Sequence, residues 1–202
     1  MAERRIMEER KSRERMKVIL VTDIFGLCES IDKWVTYFTQ RHASVHVCDP
    51  YAGVRHHFPH EQDAYSAFMT TCGHDAYFAD VQAQVASQPF DVIVGFSAGA
   101  NVVWRLSDLP TGSDRQMICF YPTRLHHYLD VQPKAMVEMI FPISEPGFDV
   151  SDMLTEMQSY ERVSTHRVPF EHGFMNNRSA AYSEEAEKWG VACLQESLRS
   201  LL

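Results

Sequence analysis

Three side chains of the types needed for acyl transfer occur in chain order, Ser97, Glu145 and His172. A serine hydroxyl attacks a carbonyl only when a base takes its proton, and an imidazole does this best when a carboxylate orients it. Ser97 stands in Gly95-Phe96-Ser97-Ala98-Gly99, after the apolar run Val92-Ile93-Val94 and before a helical pattern through Val102, Val103, Trp104 and Leu106. Gly-x-Ser-x-Gly between a strand and a helix puts the serine on a tight, strained turn, its hydroxyl raised at the carboxyl edge of a sheet. Gly95 and Gly99 then lack side chains because the returning helix leaves no room for a Cβ. The N–H of Ala98, at the helix N-terminus, is left to bind a developing oxyanion.

The other two members fall in loops after later strands. His172 is the histidine of Pro169-Phe170-Glu171-His172-Gly173-Phe174, the loop after the last strand, and is the expected base. Glu145 comes off the fifth strand with Pro146-Gly147 to shape its turn, while Asp149 and Asp152 lie close enough behind it to be alternatives. Each of these carboxylates also reads as an ordinary solvated group. The second oxyanion donor is expected from the loop after the first strand, at the N–H of Ile24. Phe25, Phe96, Tyr121 and Phe174 either wall an apolar substrate pocket or pack in the core.

The elements that must position these residues follow from periodicity. Continuous apolar runs at Val18–Val21 and before the elbow suit strands covered on both faces, and Ser44–Cys48, Met117–Tyr121, Met136–Ile143 and Arg162–Val168 complete six. Ser30 is expected to cap a helix carrying Ile31, Trp34, Val35 and Phe38 inward, and Ser183 a closing helix that buries Trp189, Leu194 and Leu198. Further helices are expected over 76–86, with Phe78, Val81 and Val85 inward, and over 151–160. Residues 50–74 look the least regular. With crossovers between strands and no hairpin signal, the fold class is α/β, a six-stranded parallel sheet with helices on both faces.

Whole-chain properties narrow the function. The chain has 202 residues, 45% hydrophobic and 23% charged, which suits one domain over residues 17–202. Residues 1–16 form a charged leader, read as a tail, a solvated helix or a stretch before a start at Met16. Residues 1–17 carry seven Lys/Arg against four Glu, so the net charge of −8 leaves −11 for the rest. A body that acidic argues against nucleic acid as a partner. No apolar run is long enough to span a membrane. The five cysteines form no CxxC pair, and Cys48 and Cys119 read as small buried hydrophobes, so a reducing, cytoplasmic setting is expected. His56, His57 and His60 lack an accompanying Cys or carboxylate set and read as a surface loop, so no metal and no cofactor are expected.

Asp23-Ile24-Phe25-Gly26-Leu27, Asp49-Pro50-Tyr51, the elbow and His172-Gly173-Phe174 together make residues 17–200 resemble the dienelactone hydrolase family. That resemblance implies an α/β-hydrolase fold without a lid domain, hydrolysis of small carboxylic esters or lactones, and no cofactor. The family's namesakes use a cysteine where Ser97 stands and an aspartate where Glu145 stands. Their loop carboxylate beside the nucleophile is matched by Asp23, one methylene shorter, which makes Asp23 a substrate-side residue. Their substrate-binding arginine has Asn176 in its register, with Arg178 nearby.

The expected activity is therefore a serine hydrolase acting on a small ester or lactone through an acyl-enzyme. Acyl transfer and thioester cleavage would use the same groups, and a non-catalytic binding scaffold is the rival reading. The sequence leaves the oligomeric state open.

Overall fold

Short apolar segments without hairpin turns have one economical way to bury both faces, a parallel sheet wrapped by its crossovers. The computed structural model describes residues 15–110 and 115–199. Residues 1–14 of the expected leader lie outside the described residues. The strands are β1 (Lys17–Val21), β2 (Ser44–Cys48), β3 (Val92–Phe96), β4 (Gln116–Phe120), β5 (Met136–Phe141) and β6 (Val163–Arg167). They form one sheet in the order β2-β1-β3-β4-β5-β6, with every neighbouring pair parallel. The helices are α1 (Glu29–Thr39), α2 (Glu61–Thr71), α3 (Gly73–Ala86), α4 (Ala98–Leu106), α5 (Val150–Met157) and α6 (Glu184–Ser197).

The period-2 alternation of each strand divides the core into two. Ile19, Val21, Ile93, Met117, Cys119, Val137 and Met139 face one side, where Phe68, Tyr77, Val81, Trp104, Leu106, Met153 and Met157 of α2, α3, α4 and α5 cover them. Val18, Leu20, Val92, Val94, Ile118, Phe120 and Ile140 face the other, under Ile31, Trp34 and Phe38 of α1 and Leu194 of α6. Trp189 and Phe78 are only partly buried against these clusters, and Leu198 is fully buried just past α6.

The least regular stretch contains a helix that the composition hides. α2 occupies 61–71 with only Ala64 and Phe68 buried, so too few apolar residues recur to give a helical signal. Ser30 does not cap α1. The helix begins at Glu29, and buried Ser30 instead donates to Asn177 Oδ1 at 2.9 Å and accepts from the Asn177 N–H at 2.8 Å. Ser183 does cap α6, its hydroxyl accepting from Ala186 N–H at 3.1 Å, with Glu184, Glu185 and Glu187 in the first turn.

The two elbow glycines are required for different reasons. A Cβ on Gly95 would lie 2.5 Å from the Gly99 carbonyl oxygen, inside the turn itself. One on Gly99 would fall on the carbonyl oxygens of Val21 and Thr22, 2.5 Å from the latter. The first turn of α4 is thus jammed against the end of β1, and backbone cannot yield as a side chain would. Gly99→Ala is expected to destabilise the fold by about 3 kcal/mol, measured as a lower urea midpoint with unchanged slope.

Candidate active site

The elbow holds Ser97 at φ 50°, ψ −110°, a left-handed conformation that serine adopts only under constraint. The constraint comes from both sides. Ser97 N–H donates to the Phe120 carbonyl at 3.0 Å, and the Ser97 carbonyl accepts the Asn101 N–H at 3.0 Å as α4 begins. The Ser97 Oγ lies 2.8 Å from His172 Nε2, and His172 Nδ1 is hydrogen-bonded to Glu145 Oε1. The Glu145 side chain is 2% exposed and that of His172 22%.

Two loops carry the imidazole and the carboxylate, and they are laced together. Ile143 N–H donates to the Phe170 carbonyl at 2.8 Å, Ser144 Oγ donates to Glu171 Oε2 at 2.8 Å, and Arg167 Nη2 donates to the Ile143 carbonyl at 2.8 Å. Gly173, at φ 86°, turns the chain where a Cβ would meet the Ser179 hydroxyl. β5 stops at Phe141, two residues before the expected Ile143, which leaves Glu145 in a loop that bridges back to Phe148. Asp149 is otherwise employed. Its Oδ1 accepts from Ser151 N–H at 2.7 Å and Asp152 N–H at 3.0 Å, capping α5. Asp152 lies exposed in that helix's first turn.

Burial alone would push the His172 imidazole toward neutrality, but the hydrogen bond and charge of Glu145 outweigh it and leave its pKa raised. Burial raises the Glu145 pKa, against the pull of His172. Asp23 sits beside this row. Desolvation lifts its pKa to about 6, opposed by the hydrogen bonds from Asn176 and the Phe25 N–H.

The loop after β1 is shaped by Asp23, whose Oδ1 accepts from Phe25 N–H at 2.9 Å. Ile24 N–H and Ala98 N–H find no acceptor among the described residues, and the contact of Gly99 with Val21 and Thr22 brings their two loops together. The Tyr51 hydroxyl donates to the Ile24 carbonyl at 2.6 Å, fixing that peptide. Tyr51 was legible only as part of a motif, because nothing local reveals that its hydroxyl reaches 27 residues back.

Sequence reasoning also missed the meeting of Asp23 with Asn176, whose Nδ2 donates to Asp23 Oδ2 at 2.6 Å. Arg178 does not substitute for an arginine here, since its guanidinium pairs with Glu29 and contacts His57 Nδ1 at 3.0 Å. Of the two readings of the aromatic residues, pocket wall or core packing, their burial favours core packing. Phe96 and Phe174 are buried in the α1/α6 core, Phe96 stacked on Phe120 at 5.4 Å, and Phe25 is buried in the other core. Tyr121 is fully buried, with its ring 5.1 Å from that of His172, so it props the imidazole. Phe96 and Tyr121 line a cavity of about 10 Å³ shared with Asp23 and Asn176, space for a single water.

Of the expected histidine loop, the His56 ring stacks on Phe58 at 5.2 Å. Among the described residues no three His, Cys, Asp or Glu side chains are grouped to hold a metal ion, and no helix is long and apolar enough to cross a membrane. All five cysteines are free thiols.

The chain has the α/β-hydrolase fold, and by fold it groups with dienelactone hydrolase-like structures. A Klebsiella pneumoniae protein assigned as a dienelactone hydrolase superposes with TM-score 0.70 at 18% identity, over 93% of this chain and 88% of that one. A promiscuous dienelactone hydrolase-like phosphotriesterase from metagenomic libraries gives TM-score 0.70 at 13% identity, over 93% and 87%. Est1E from Butyrivibrio proteoclasticus, with ferulic acid bound, gives 0.66 at 10% identity, over 93% and 90%. In sequence, the uncharacterized protein YczH of Bacillus subtilis (strain 168) is 30% identical over 93 residues, a match spanning 45% of this chain and 45% of that relative. No family model matches the chain.

Proposed function

We propose that the protein is a serine hydrolase that cleaves small carboxylic esters or lactones through an acyl-enzyme. One observation carries the reading: the 2.8 Å contact from Ser97 Oγ to an imidazole whose other nitrogen is held by a buried carboxylate. Ser97 Oγ attacks the carbonyl carbon while His172 Nε2 takes its proton. Glu145 stabilises the imidazolium that forms, without itself accepting the proton. The tetrahedral oxyanion is received by the N–H groups of Ile24 and Ala98, both lacking other acceptors among the described residues. His172 then protonates the departing alkoxide, and a water deprotonated by His172 attacks the acyl carbon to release the acid and restore Ser97.

The dienelactone hydrolase-like neighbours support this substrate class by fold. Ser97 keeps 8% of its surface exposed, and a small carbonyl compound would approach it from the sheet edge. Asp23 contributes through its hydrogen bonds from Asn176 and the Phe25 N–H, which shape the loop that carries Ile24.

A fluorophosphonate probe reacts with serines activated in this way. We expect it to label the folded protein at one site, located by peptide mapping to Ser97. Folded protein that stays unlabelled, or labels elsewhere, would favour the non-catalytic scaffold.

A further inference from the structure

Arginine and imidazole side chains are gathered on one side of the carboxyl edge. α3 begins there with Gly73 and His74, and the turn after β4 brings Arg124, His126 and His127 to the same place. This turn borders the acid loop, since His126 Cε1 stands 3.4 Å from where a Cβ on Gly147 would sit, two residues beyond Glu145. α4 adds Arg105, whose guanidinium lies 3.8 Å over the Phe78 ring and 4.4 Å over that of Tyr128.

Of the two arginines in this group, Arg105 has a carboxylate partner among the described residues and Arg124 has none. Asp75 is taken up by Arg105 at 3.2 Å and by the Tyr128 hydroxyl at 3.4 Å. The half-buried Arg124 guanidinium makes no ion pair and no hydrogen bond among the described residues, and its Nε is fully enclosed. His74, 9% exposed, likewise has Nε2 enclosed without a partner. Burial and the Arg124 and Arg105 charges, against Asp75, hold this imidazole down at about 4, with His127 adding to them. Buried donors without acceptors, crowded with cations, cost free energy that a bound oxyanion recovers. Glu61 and Asp23 both act on His172 as negative charges. An anionic arm on a substrate is repelled by those two carboxylates and attracted by the Arg124 guanidinium.

We propose that Arg124 and His74 form an anion subsite at the rim of the active site, taking a carboxylate or phosphate carried by the substrate. The role in substrate selection rests on the hydrolase reading, whereas the anion binding does not.

The test uses the whole chain and two probes, inorganic phosphate and succinate, titrated separately while the His74 imidazole resonances are followed by NMR. A saturable shift is expected, lost in Arg124→Gln and partly regained in Arg124→Lys; the tighter probe identifies the anion. In kinetics, the kcat/KM ratio of 4-nitrophenyl hemisuccinate to 4-nitrophenyl acetate should fall about tenfold in Arg124→Gln, the loss of one charge-assisted contact. No saturable response, or an equal response in Arg124→Gln, overturns the subsite. Binding that depends on Arg124 with an unchanged kinetic ratio overturns its role in substrate choice. Arg124-dependent binding in a protein that hydrolyses neither ester removes the hydrolase reading and leaves the subsite standing.

Discussion

Ser97→Ala is expected to lower ester turnover by on the order of 10⁵–10⁶-fold, because the attacking oxygen is gone and the remaining groups have nothing to activate. The oxyanion donors and binding surface survive in that variant, so a trace of hydrolysis above water is expected. Its melting temperature should match that of the wild type, since alanine is held at the same φ of 50°. Ser97→Gly separates function from strain. It loses turnover equally, yet glycine adopts that backbone without penalty, so the variant should be more stable by about 1 kcal/mol, raising Tm by about 2–4 °C. Turnover of a simple ester that persists in Ser97→Ala, assayed on purified folded protein, would remove the proposed mechanism. A Ser97→Gly variant less stable than the wild type would contradict the strained elbow.

The four central strands were legible because each is a short apolar block, which a doubly covered parallel sheet demands, whereas the edge strands β2 and β6 show only alternation. The elbow was legible because its glycines are dictated by backbone clashes, so sequence and geometry say the same thing. α2 escaped notice because a helix that buries only Ala64 and Phe68 has almost no period to detect. The aromatic residues around the site could be read two ways for a related reason. Phe96 lies beside the nucleophile in sequence, but on a strand alternate residues point to opposite faces, and its ring goes into the α1/α6 core. The local sequence presents Ser30 as a cap, although its hydroxyl is engaged by Asn177 far along the chain.

Long-range polar pairs are the part that local patterns do not encode. Asp23 and Asn176 meet across 153 residues, and the Cys28 thiol donates to the same amide at 3.7 Å. Asn176 therefore serves Asp23 rather than standing free toward a substrate. That carboxyl, half ionised near pH 6, is left with a neutral partner and no arginine. The same logic explains the acid. Glu145 and Asp149 are both near the end of β5, and only the three-dimensional capping of α5 shows that Asp149 is already committed to two backbone N–H groups.

Glu145→Gln is expected to reduce kcat by about 10⁴-fold with little change in KM. Glutamine fits the same buried space, but it carries no charge to balance an imidazolium. Its amide can also donate to His172 Nδ1, which leaves the proton on Nε2, where the base must be empty. The pH profile supplies a second, independent reading. His172 acts as a base only when neutral, so wild-type kcat/KM should fall on the acid side with an apparent pKa above the ordinary histidine value of 6.5, the direction set by Glu145. Without that carboxylate the desolvation of His172 is unopposed by its chief partner, and the acid limb should move to lower pH. Asp149→Ala is the control. It removes the α5 cap, costing about 1 kcal/mol in chemical denaturation, while turnover stays at the wild-type level. Should Asp149→Ala abolish turnover and Glu145→Gln retain it, the carboxylate that orients His172 would have to be reassigned.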